Sequence, residues 1–111
     1  MLNNETKNIF IATLRNAIRT IDSRAAKPEH TDVKSREAFV NTLDVLNTNG
    51  EFKKSDIFTL QLAILTVTKN IKENVQSLVD AYNYYTKVLK KELDEAADAF
   101  DEGNWEEKFK I

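Results

Sequence analysis

SDIFTLQLAILTVTKNIKENVQSLVDAYNYYTKVLKKELDEAADAF, residues 55–100, holds neither glycine nor proline. An apolar residue recurs in it every three or four positions: Ile57, Leu60, Ile64, Val67, Ile71, Val75, Leu78, Tyr82, Tyr85, Leu89, Leu93, Ala97 and Phe100. That period keeps side chains on one face of an α-helix and is incompatible with the alternation of a strand. Ser55 is placed to cap the first turn, and Asp56 suits the positive end of the helix dipole. Gly103 offers the left-handed conformation that ends helices.

A straight helix over this stretch would run roughly 70 Å at ~1.5 Å per residue. A compact domain of this size has a radius of gyration of only ~13 Å. The absence of any glycine or proline favours a continuous or gently kinked helix in an elongated, self-associated molecule. A local irregularity is expected where Val67, Ile71 and Val75 make two successive four-residue steps, the pattern of a stutter. The alternative is a break between Thr68 and Asn74, where helix propensity is low, which would give a four-helix bundle. The two halves also differ: residues 57–67 are apolar on almost every face and need neighbours on several sides, whereas one stripe continues beyond Lys69.

Upstream, Asn3 or Asn4 can cap a first helix with Phe10, Leu14, Ala17, Ile18 and Ile21 on its core face. Pro28 separates it from a second helix, begun by Thr31 or Asp32 and carrying Ala38, Phe39, Val40, Leu43, Val45 and Leu46. The Asn49–Gly50 pair marks its end. The expected architecture is therefore all-α: a three-helix arrangement with two shorter N-terminal helices packed on one long C-terminal helix. A single domain would span residues 1–102, and a short acidic and aromatic tail residues 103–111. In that tail Trp105 and Phe109 lie one turn apart, expected to fold back onto the core, with a docking motif as the other reading.

Composition excludes several kinds of chemistry. The 111 residues include no cysteine, two glycines, one proline and a single histidine, His30. Disulfides, thiolate metal sites and thiol nucleophiles are thereby ruled out, and His30 has no second soft ligand or nucleophile beside it to complete a catalytic set. Gly50 and Gly103 are too far apart to form a phosphate-cradling loop. We expect no enzyme activity, no cofactor and no metal. Acidic pairs near the C-terminus have the spacing to share a hard cation, but with one run and no second set facing it the expected reading is a solvated helix face. No apolar run reaches the ~18 residues of a membrane span, and a cytoplasmic location is expected. Lysine- and asparagine-rich usage is compatible with a bacterial or phage source.

Charge distribution is more informative than net charge. Residues 1–54 carry nine basic and seven acidic side chains, residues 55–111 seven and eleven. Eight of those acids fall between Glu92 and Glu107 with no base among them, a pattern that repels nucleic acid and attracts a basic protein surface, or else simply keeps the terminus solvated. The sequence thus points to a small non-enzymatic protein-binding module that associates with itself or modulates a host protein. Candidate partner-binding residues are Tyr84, Asp94, Asp98, Asp101, Glu102 and Trp105. Tyr84 enters because it lies off the stripe and is expected to point away from it. Candidate self-association residues are Tyr82, Tyr85, Leu89 and Leu93, expected to pair with a second copy in a dimer. The alternative is a nucleic-acid-associated or phage virion-assembly component using the basic N-terminal half, with Arg15, Arg19, Arg24, Lys27, Lys34 and Arg36.

Overall fold

Helix α1 (Asn4–Ser23) starts at Asn3, whose side-chain oxygen accepts the Thr6 backbone N–H at 2.8 Å and so satisfies one of the unpaired donors of the first turn. The computed structural model describes residues 2–23, 32–74 and 79–109, with residues 70–74 and 79 by backbone alone. The Pro28 loop with His30 and the apolar positions Ile71, Val75 and Leu78, including the expected stutter, lie outside the described side chains. One face of α1 buries Phe10, Leu14, Ala17 and Ile21, as the spacing predicts, together with Thr6, Thr13 and Thr20. Two of these threonines sit in the core without an unpaired hydroxyl. Thr13 donates to the Ile9 carbonyl and Thr20 to the Asn16 carbonyl, each at 2.8 Å.

Helix α2 (Asp32–Asn47) packs Phe39, Thr42 and Leu46 inward. It ends where Asn49 takes a positive φ of 55° and the Gly50 N–H reaches back to the Val45 carbonyl at 2.9 Å, the wide-loop bond that closes a helix C-terminus. Arg36 on α2 grips Asp22 on α1 with two bonds of 2.8 and 3.3 Å. The Arg36 guanidinium holds the Asp22 carboxyl below its ordinary range.

Helix α3 (Lys54–Asn74) begins two residues earlier than an N-cap at Ser55 would place it. Its cap is Asp56, not Ser55. One Asp56 oxygen accepts the Lys53 N–H at 2.9 Å and the other accepts the Thr42 hydroxyl at 2.7 Å, so a buried carboxylate closes the first turn of α3 and ties it to α2.

The fourth helix is composite. It runs through α4 (Val79–Asn83), a π-helical segment (Tyr84–Leu89), α5 (Lys90–Ala99) and a 3-10 turn (Phe100–Glu102). Gly103, at φ 79°, stops it in the left-handed conformation. α3 and the fourth helix lie side by side and antiparallel: Gln61 donates to Asp94 at 2.7 Å, and Lys54 meets Asp101 at 3.4 Å. Moving seven residues up α3 is moving seven residues down the fourth helix. The long axis of the molecule is 41 Å and its radius of gyration 13.8 Å. Residues 55–100 are therefore not one straight rod: α3 packs along the segment that ends at Glu102. The described residues are all-helical, with four helices in a compact globule.

The last segment belongs to the core. Trp105 stacks on Phe52 with ring centroids 5.0 Å apart, and Phe109 meets Phe10 edge-on at 5.1 Å. Both Trp105 and Phe109 are buried, so residues 103–109 close one end of the globule instead of trailing from it.

Candidate binding surface

α3 has two apolar faces and the chain covers one of them. Ile57, Leu60, Ile64 and Val67 are buried. Phe58, Leu62 and Leu65 are exposed at 52%, 40% and 55%. With Ser55 and Lys69, also exposed, they form a row of alternating three- and four-residue steps, the spacing of a coiled-coil seam. No charged residue interrupts α3 between Asp56, which is buried, and Lys69. In a chain of which 31% is charged, a charge-free exposed helix face has the composition of an interface centre.

The flank of this stripe is set by the antiparallel register. Asp94, Asp98 and Asp101 lie along the fourth helix beside the N-terminal half of α3, while Lys87 and Lys90 lie beside its C-terminal half. Asp94 accepts from Gln61 and sits 3.8 Å from Lys90. Asp98, Asp101 and Glu102 are exposed. Asp94, Asp98 and Asp101 therefore form a row bordering the apolar stripe, with Glu102 exposed in the turn that follows, and the row gives way to lysines at the far end.

The remaining candidates fall elsewhere. Leu89 and Leu93 are completely buried within the chain, spent on the core that α3 and α1 share, and have no surface left to give a second copy. Tyr82 and Tyr85 are half-buried against the same core. Trp105 is in the aromatic closure. Tyr84, expected to point outward, is half-buried with its hydroxyl inside and unpaired. Tyr84 opens the π segment, whose i→i+5 bonding is seen where the Lys90 N–H donates to the Tyr85 carbonyl, and its ring packs against the core and edge-on to Tyr85 with centroids 5.7 Å apart. Burial pushes the Tyr84 phenol above its ordinary pKa, and the Glu92 charge and Tyr85 add to the shift.

A concavity of about 370 Å³ opens at the aromatic end, between Leu2, Lys7, Asn49, Phe52 and Trp105. Lys7 donates to the Asn49 side chain across it. Among the described residues no group of three or more acidic or histidine side chains could hold a metal ion, and no helix is long and apolar enough to cross a membrane. Of the basic N-terminal residues, Arg15, Arg19 and Lys34 are exposed and Arg36 is engaged by Asp22, while Arg24 and Lys27 lie outside the described residues.

Sequence reasoning missed Phe58, Leu62 and Leu65. The signal was present, since residues 57–67 read as apolar all round, but it was assigned to burial by the two N-terminal helices. Comparison of the chain with protein-family models, curated proteins and solved structures finds no match in any of the three.

Proposed function

We propose that this protein is a small helical protein-binding module that works by surface contact and not by catalysis. The reading takes the fold as a four-helix bundle in which the fourth helix returns along α3. The observation that carries it is the uncovered, charge-free stripe Phe58–Leu62–Leu65. Single exposed apolar residues are ordinary on any protein, whereas three on one seam, bordered by a polar rim, fit the anatomy of an interface. The acidic row beside the stripe supplies the rim and favours a partner with basic groups next to an apolar groove or helix.

The test is affinity capture from the native host with the parent protein and with Leu65→Glu, both checked for unchanged helicity by circular dichroism. A protein held by the parent and lost from the variant supports the reading. Capture that survives Leu65→Glu, together with replacement of Asp94, Asp98, Asp101 and Glu102 by Asn or Gln, would place the contact on another face.

A further inference from the structure

We infer that the outer stripe of α3 pairs antiparallel with the same stripe of a second copy of this chain, an inference that rests on the binding-surface reading and names the partner. The sequence of the seam is close to symmetric about Leu62: a polar residue, an apolar one, Leu62, an apolar one, a polar one, in the order Ser55, Phe58, Leu62, Leu65 and Lys69. A twofold axis at Leu62 therefore sets Phe58 against Leu65 of the other copy at both ends and keeps the polar residues at the rim. Such self-complementarity is what an isologous interface requires.

Charge makes the orientation specific. The fourth helix runs beside the stripe with Asp94, Asp98 and Asp101 at one end and Lys87 and Lys90 at the other, an order fixed by the Gln61–Asp94 and Lys54–Asp101 contacts. Inverting a second copy about Leu62 brings the acidic end of each fourth helix toward the basic end of the other, with Asp98 approaching Lys87 of the second copy. A parallel arrangement would lose this pairing, because it sets like-charged ends at the same level and the two fourth helices on opposite sides of the helix pair. Charge flanks of this kind choose orientation and partner more than they add affinity. The contact is a single helix pair, so it belongs with small interfaces and reversible association, on the order of micromolar.

Sedimentation equilibrium and light scattering across about micromolar to about millimolar protein should show a monomer–dimer equilibrium. Leu62→Glu, at an exposed position that leaves the fold intact by circular dichroism, should raise the dissociation constant about a hundredfold or abolish the dimer. Asp98→Lys alone should weaken the dimer, and combining it with Lys87→Glu should restore it. Restoration supports the antiparallel order, and a dimer indifferent to both charge variants overturns that order. A parent chain that stays monomeric throughout overturns the second copy as occupant while leaving the stripe to a different protein. A dimer that Leu62→Glu does not disturb overturns the stripe itself, and the binding-surface reading fails with it.

Discussion

The two faces of α3 have nearly the same chemistry and opposite fates. Ile57, Leu60, Ile64 and Val67 are inside, and Phe58, Leu62 and Leu65, interleaved with them in the same three turns, are outside. Hydrophobicity therefore does not decide which face the chain covers. Neighbouring constraints do. Asp56 binds α3 to α2 through Thr42, and Gln61 and Lys54 bind it to the fourth helix, so the helix is held at one rotation about its axis. The face that those anchors turn away from the neighbouring helices is left uncovered, and its apolar character then has no account within one chain.

The contrast is broken most severely from inside. Ile64→Ala removes buried atoms from a site with almost no exposure, and should destabilise the fold by about 2–5 kcal/mol in denaturant titration. Tyr84 is an intermediate case, with a covered ring and a buried, unpartnered hydroxyl. Tyr84→Phe should stabilise by about 1 kcal/mol, because it deletes a group that is desolvated without compensation. The raised phenol pKa gives this residue a sign in pH. Its folded-state preference for the protonated form is fully present below the ordinary tyrosine range and is lost as pH rises through the shifted value, so the parent should lose stability in strong alkali more steeply than Tyr84→Phe. Absorbance titration of the phenolates checks the direction. The smallest effect should come from outside. Leu62→Ala should change monomer stability by less than about 0.5 kcal/mol, measured under dilute conditions, and a loss comparable to Ile64→Ala would mean the two faces are not different after all.

Much of the fold was readable because helix ends and core stripes leave local marks. Asn3, the Asn49–Gly50 pair and Gly103 each stand where a helix begins or stops, and Phe10, Leu14, Ala17 and Ile21 were legible as a core face from spacing alone. The return of the fourth helix was not. Both segments face one shared core, so the apolar period continues from α3 into the fourth helix as though no reversal intervened, and no glycine or proline interrupts residues 55–100. The threonines of α1 were missed for a different reason. The hydroxyls of Thr13 and Thr20 bond to the preceding turn, which lets a nominally polar residue behave as a small core side chain. Tyr84 lies in a π segment, whose wider turn has no composition signal of its own. As for the binding surface, the acidic row was legible as a run of charge, but the stripe beside it could be told from core only once the neighbours of α3 were known.

The aromatic closure joins the first and last parts of the chain through Phe10 and Phe109, and it contains the sole tryptophan, Trp105, in contact with Phe52. Indole emission is therefore a single-site optical signal that reads the meeting of Trp105 with the distant Phe52 together with its local packing on Phe100 and Phe109. A contact between residues so far apart in sequence closes a long loop and carries the entropy of that closure. Stopped-flow fluorescence should accordingly see the ends come together as a step distinct in time from the far-ultraviolet signal of helix formation.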